Sequence, residues 1–109
     1  RDDLFERYRS SEDFIQKYIF PGGFLPSLGF MKSLIKKNNL NLLKVNSYPD
    51  DYAKTLATWR ENFLKVWSNI APLGFDETFK RMWEFYLSYC EAGFKSKNID
   101  LIQFSMSNK

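Results

Sequence analysis

Two tyrosines, one cysteine and the apolar residues one helical turn away are the side chains here whose types and spacing bear on chemistry. In DYAKTL, Tyr52 and Leu56 stand four residues apart, and in FYLSYC the same step separates Tyr86 from Cys90. A four-residue step nearly completes a helical turn, so each pair shares one face. Each pair sets a protonatable group against apolar neighbours. Such a hydroxyl or thiol either serves something bound or belongs to an ordinary core, with the tyrosine reaching the rim and the thiol acting as a small hydrophobe. Spacing alone leaves both readings open. The third stretch is IFPGGFLPS, Ile19 to Ser27, a turn that carries Phe20, Phe24 and Leu25 where surface turns are usually polar. The absence of histidine and the single cysteine, Cys90, exclude a histidine base, a histidine-based zinc site, a Ser-His-Asp triad and an internal disulfide within these residues. Gly22-Gly23 lacks the strand-to-helix setting of a nucleotide-binding turn. Asp50 and Asp51 read as caps of the helix behind them.

The elements that must position these residues follow from periodicity. Ser10, with Asp13 three residues on, reads as an N-cap box opening a short helix whose apolar face is Phe14, Ile15, Tyr18 and Ile19, stopped by Pro21, Gly22 and Gly23. Pro26 suits the first turn of a second helix, with Leu28, Met31 and Ile35 inward and Lys32, Lys36 and Lys37 outward, ending at Asn38 and Asn39. Leu40 to Tyr48 is the first strand, ended by Pro49. Tyr52, Leu56, Trp59, Phe63, Val66 and Ile70 form one stripe of a long amphipathic helix closed by Pro72 and Gly74. After a cap at Asp76, the stripe Phe79, Trp83, Tyr86, Cys90 and Phe94 marks another, with Gly93 and Lys97-Asn98 at its end. In the closing IDLIQFSMSN, Ile99 and Leu101 face one way and Ile102, Phe104 and Met106 the other, the pattern of a strand covered on both sides. Four helices and two strands thus give an α/β reading. Two strands alone make a marginal sheet, so the chain is expected to be part of a larger layered structure or to self-associate as a homo-oligomer through exposed apolar surface.

At 109 residues the chain is one domain at most. Aromatic residues make up 18% of it, more than a small core requires, so some are expected to line a groove or a partner surface. The 16 basic and 13 acidic residues are interspersed, which argues against nucleic acid as a partner and leaves attraction to an anionic membrane open. No apolar run approaches membrane-spanning length and no signal-peptide pattern opens the chain, so a cytoplasmic location is expected. A start at Arg1 without methionine reads as a fragment or processed product.

The succession SSEDFIQKYIFPGGFLPS, DYAKTLATWRENF and LGFDETFKRMWEFYLSYCEAGFKSKNIDLIQF resembles the C-terminal part of the cyclopropane-fatty-acyl-phospholipid synthase family, S-adenosylmethionine-dependent methyltransferases that include the cyclopropane mycolic acid synthases. The resemblance runs from Ser10 to Phe104. It implies that residues 1–109 are the C-terminal part of a class I methyltransferase (Rossmann-like) domain, lacking the part that seats the methyl donor. It also implies that the FPGG turn walls a tunnel for an acyl chain. Phe20, Leu25, Leu56, Tyr86 and Cys90 match tunnel-lining positions, and Tyr52 matches a tyrosine that helps hold an active-site bicarbonate. The resemblance makes Tyr52 and Cys90 the candidate catalytic residues and Phe20, Leu25, Leu56 and Tyr86 the candidate acyl-binding ones.

The implied activity is cyclopropanation, or methylation, of unsaturated acyl chains of membrane phospholipids at the inner face of the membrane. The implied cofactors are S-adenosylmethionine and bicarbonate in the parent enzyme, with neither expected to be held by this chain alone, which should be inactive. Asp51, where the mycolic branch has histidine, leans towards the phospholipid branch. The rival reading is a non-catalytic acyl-binding or helical interaction module, in which Tyr52 and Cys90 are core residues.

Overall fold

Nine elements follow one another in the computed structural model, which describes residues 1–10, 13–21 and 23–109. They are helix α1 (Asp2–Ser10), a π-helical turn (Ile15–Ile19), α2 (Leu28–Lys37), strand β1 (Leu40–Ser47), α3 (Pro49–Lys65), α4 (Trp67–Ile70), a 3-10 turn (Ala71–Leu73), α5 (Glu77–Lys95) and β2 (Ile102–Asn108). They fall into two compact units, Arg1–Tyr48 with Asp100–Lys109, and Pro49–Ile99.

In the first unit, α1 stands where periodicity predicts no helix. Its acidic first turn, Asp2 and Asp3, and basic last turn, Arg7 and Arg9, complement the helix dipole. Ser10 therefore ends a helix instead of opening one. Its hydroxyl donates to the carbonyls of Glu6 and Arg7. The box lies three residues later, where the Gln16 amide donates to Asp13 Oδ1 at 2.8 Å and the Asp13 amide donates to Gln16 Oε1 at 2.9 Å. Of the expected stop signals, Gly22 lies outside the described residues. Pro26 precedes α2, and the cap is Ser27, whose hydroxyl accepts from the Phe30 amide at 3.1 Å. Ile35 is the buried residue of α2, which lies against β1.

The two strands pair antiparallel, and their register corrects the expectation of a strand apolar on both faces. Leu42 lies opposite Met106 and Val45 opposite Phe104, so three residues of β1 match two of β2. The extra residue is a bulge between Leu42 and Lys44, where Leu43 is left 65% exposed. The bulge returns Val45 to the face of Leu40 and Leu42, which it shares with Ile102, Phe104 and Met106 across the pair. Asn41, Lys44 and Asn46 oppose Ser107, Ser105 and Gln103 on the other side. The strand pair is thus apolar on one face and polar on the other, as antiparallel pairs commonly are. Ile99 and Leu101, which carried the two-faced reading, precede β2. The Leu101 carbonyl accepts from the Tyr48 amide at 2.9 Å.

In the second unit, α3 packs antiparallel to α5: Tyr52 meets Phe94 near one end, and Phe63 meets Phe79 near the other. The core comprises Ala53 and Leu56 from α3 with Leu87, Cys90 and Phe94 from α5. It is centred to one side of the stripe read from periodicity, since Trp59 and Val66 of that stripe are 48% and 43% exposed. The expected single helix to Ile70 is broken at Val66, whose φ of −103° and ψ of 10° leave the helical region. Pro72 and Gly74 close the segment as expected, Gly74 with the positive φ of 105° that glycine tolerates. Asp76 caps α5 through the Phe79 amide at 2.9 Å. Asp50 and Asp51 lie in the first turn of α3 without a capping hydrogen bond among the described residues. Gly93 sits inside α5 and not at its end. A Cβ there would come within 2.9 Å of Ile99 Cδ1, so glycine permits that close approach.

Candidate functional site

The α3–α5 pair gathers four of the six candidate residues. Tyr52 and Leu56 come from α3, Tyr86 and Cys90 from α5. Leu56 is fully buried and Cys90 is buried, whereas Tyr52 and Tyr86 are half-buried and keep a side towards the edge of the pair. The Tyr52 ring lies 4.8 Å from that of Phe94 and meets Trp59 edge-on at 5.9 Å. The Tyr86 hydroxyl is carried on the same face of α5 as Cys90, one helical turn away. Burial pushes that hydroxyl above its ordinary range, and the neighbouring Cys90 and Tyr52 push it the same way. Two phenolic hydroxyls and one thiol thus lie close enough to influence one another on a helical pair otherwise lined with apolar groups.

A ladder of rings runs along the same pair. Phe75 meets Phe79 at 4.6 Å, Phe79 stacks on Trp83 at 6.0 Å, and Trp83 meets Tyr86 at 5.0 Å. Phe63 and Trp67 join it from the other side, with Lys80 Nζ 5.7 Å above the Trp67 ring. Much of the aromatic surplus is spent here. Sequence periodicity missed Ala53 and Leu87, which lie beside the aromatic stripe. It also missed Arg60, whose Nε is buried without a hydrogen-bond partner among the described residues.

Phe20 and Leu25 belong to the other unit. Phe20 follows the π-helical turn, its amide donating to the Ile15 carbonyl at 2.8 Å in the i to i+5 pattern of that helix. The Gly23 amide donates back to the Phe20 carbonyl at 2.8 Å, and a Cβ on Gly23 would lie 2.9 Å from that oxygen, so the turn requires glycine. Phe20 and Leu25 are 56% and 55% exposed, as an apolar wall facing a ligand would be. Gln16 and Tyr8, which the sequence reading passed over, hold this segment: Gln16 Nε2 donates to the Gly23 carbonyl and Tyr8 Oη accepts from the Leu25 amide. The Asp13-x-x-Gln16 spacing was the available signal for the first of them.

The implied methyl donor does not fit the residues present. Its family seat is a glycine-rich turn from strand to helix, and the described glycines are used otherwise: Gly23 in the FPGG turn, Gly29 in α2, Gly74 between helices and Gly93 under Ile99. β1 passes into α3 through Tyr48 and Pro49 with no glycine. For bicarbonate the α3–α5 pair offers the Tyr52 hydroxyl as one donor among rings, which alone does not make an anion site. Among the described residues there is no group of histidine, cysteine, aspartate or glutamate suited to a metal ion, and no helix long and apolar enough to cross a membrane.

Residues 2–104 match the family described as mycolic acid cyclopropane synthetase. The chain is 44% identical over 99 residues to the tuberculostearic acid methyltransferase UfaA1 of Mycobacterium tuberculosis, a match covering 90% of this chain and 23% of that protein. It is 35% identical over 98 residues to the cyclopropane-fatty-acyl-phospholipid synthase of Escherichia coli, covering 88% of this chain and 25% of the other. Among solved structures, that of mycolic acid cyclopropane synthase CmaA1 complexed with SAH and CTAB superposes with a TM-score of 0.81 at 30% identity, over 95% of this chain and 35% of that one. The cyclopropane synthase MmaA2 of M. tuberculosis gives 0.80 at 28%, over 93% and 34%. The chain therefore spans about a quarter of the length of these curated relatives and about a third of the solved chains.

Proposed function

The chain belongs to the mycolic acid cyclopropane synthetase family, and from that premise we propose that it supplies part of the acyl-binding wall of an S-adenosylmethionine-dependent methyltransferase acting on unsaturated acyl chains of membrane phospholipids. The observation that carries this reading is the grouping of Tyr52, Tyr86 and Cys90 on the ring-lined α3–α5 pair. On the resemblance, the chain is read as the C-terminal part of a class I methyltransferase; it covers about a third of each solved relative.

When bound, S-adenosylmethionine supplies an electrophilic methyl group and bicarbonate supplies a base. The residues here perform the tasks around that chemistry. An alkene that accepts a methyl group develops positive charge, which must be kept from water and can be stabilised by ring faces. Leu56 and the rings of Tyr52, Trp59 and Phe94 provide apolar surroundings within their own unit, and Phe20 and Leu25 offer exposed apolar side chains in the other. The Tyr52 hydroxyl is the donor offered to the base, and the Cys90 thiol is held by burial in the core beside Tyr86.

The proposal places the enzyme at the cytoplasmic face of the membrane, in peripheral contact with it and self-associating through exposed apolar surface. The higher identity to a fatty acid methyltransferase than to the cyclopropane synthases favours a second outcome on the same intermediate, methylation without ring closure.

The test is methyl transfer by the full-length protein to vesicles of unsaturated phospholipid. Tyr52→Phe should lower turnover about tenfold or more, as loss of a base-positioning contact does, and Cys90→Ser should lower it less, both with unchanged far-UV circular dichroism. Unchanged turnover in both variants would return Tyr52 and Cys90 to the status of core residues.

A further inference from the structure

Phe20 and Leu25 are both more than half exposed, and hydrogen bonds grip the backbone that carries them. Within Phe20–Leu25, the Gly23 carbonyl accepts from Gln16 Nε2 at 3.2 Å, and the Leu25 amide donates to Tyr8 Oη at 2.8 Å. Gln16 is itself locked by its reciprocal bonds with Asp13. Tyr8 comes from α1, seventeen residues away, and its ring lies 5.6 Å from Phe24. Phe5, one turn earlier on α1, reaches Phe24 at 5.6 Å and Phe30 of α2 at 5.5 Å. Asp2 ties the start of α1 to α2 by accepting from the Gly29 amide at 2.9 Å, an approach open because residue 29 lacks a Cβ, which would lie 2.7 Å from Asp2 Oδ1. α1 is thus joined to the FPGG segment and to α2 by hydrogen bonds at both its ends and by rings between them.

We propose that Tyr8 is a positioning residue that fixes where Leu25 stands in the acyl wall and thereby sets which acyl chains, by length and position of the double bond, are accepted. The inference rests on the acyl-wall reading of Leu25. The Leu25 amide stands two residues after Gly23, and without the phenol it is free to bond water in several orientations, so the wall loses definition while the ring packing of α1 stays. A hydrogen bond of this kind changes discrimination between ligands by about three- to tenfold.

The experiment uses the full-length protein on mixed phosphatidylethanolamine vesicles whose monounsaturated chains differ in length and double-bond position, with the product ratio read by mass spectrometry. Tyr8→Phe keeps the ring and removes the hydroxyl. It should shift the product ratio about three- to tenfold and raise KM, while kcat on the best chain changes less than about twofold. Leu25→Ala should shift the ratio too, and adding Tyr8→Phe to Leu25→Ala should shift it no further. A ratio unchanged in Tyr8→Phe but moved in Leu25→Ala would overturn the positioning role and leave the acyl wall standing. A ratio unmoved in Leu25→Ala while methyl transfer proceeds would overturn both. Tyr8→Phe that lowers kcat equally on all chains, without changing their ratio, would make Tyr8 a merely structural residue.

Discussion

Leu56 and Leu25 have the same side chain and the same proposed role, yet Leu56 is 2% exposed within the α3–α5 pair and Leu25 is 55% exposed ahead of α2. The units that hold them solve the problem of placement differently. In Pro49–Ile99, candidate residues are located by packing: Leu56, Cys90 and Phe94 are buried together, and the tyrosines stand at fixed offsets from them. In the unit that contains the FPGG turn, location comes from directional hydrogen bonds spanning many residues, Tyr8 to Leu25 and Asp2 to Gly29. Packing is strong but tolerant of small shifts, whereas a hydrogen bond contributes little energy and much geometry. Truncations of buried apolar residues in the helical pair should therefore be read first as stability, and substitutions in the turn-bearing unit as shape.

The largest effect that tests this contrast is Leu56→Ala. It leaves a cavity between two helices and should cost about 3 kcal/mol in urea denaturation. Leu25→Ala should stay within about 0.5 kcal/mol, as exposed positions do. Equal losses at the two leucines would erase the distinction.

Next comes Gly93→Val, which forces branched carbons against Ile99, already 2.9 Å from where a Cβ would begin. A loss of about 2 kcal/mol is expected for overpacking. In an Ile99→Ala background the same change should cost much less, and failure of that rescue would show that Gly93 is kept for another reason. Smaller again is Asp76→Ala, which frees the Phe79 amide and should cost about 1 kcal/mol, read as a lower melting temperature.

The same contrast explains what the sequence made legible. Tyr52, Leu56, Tyr86 and Cys90 fell on one helical period because a packed pair imposes that period, and Asp76 and Gly74 announced its ends. The α1 helix was not foreseen, because DDLFERYRS places Phe5 and Tyr8 against Phe24, residues distant in sequence, and has too few apolar positions to show a stripe. Ser10 misled for the same reason: a serine before an acidic residue resembles a cap, and only tertiary structure shows a hydroxyl turned back to the carbonyls of its own helix. Pairing register was hidden too. The bulge at Leu43 moves Val45 across the sheet, and no alternation in LNLLKVNS reveals where the extra residue sits.

The two units should also part company with pH, in opposite directions. Asp2 is held below the ordinary carboxylate range mainly by the Gly29 amide, then by the Ser27 hydroxyl and Lys32. A carboxyl lowered on folding stabilises above its unfolded value, near pH 4, and that contribution is lost as the pH falls through the lowered value. Tyr86 is raised by burial first, then by Cys90 and Tyr52, so it contributes below the ordinary tyrosine value, near pH 10, and the contribution is lost as the pH climbs through the raised one. Acid should therefore loosen α1 from α2 while the helical pair stays intact, seen as faster exchange of the Gly29 amide with unchanged signals from Leu56. Alkali should do the reverse, with a late component of tyrosinate absorbance that Tyr86→Phe abolishes. Asp2→Asn should flatten the acid response of Gly29 alone. If acid moved both units together, packing and hydrogen bonding would not be divided between them in this way.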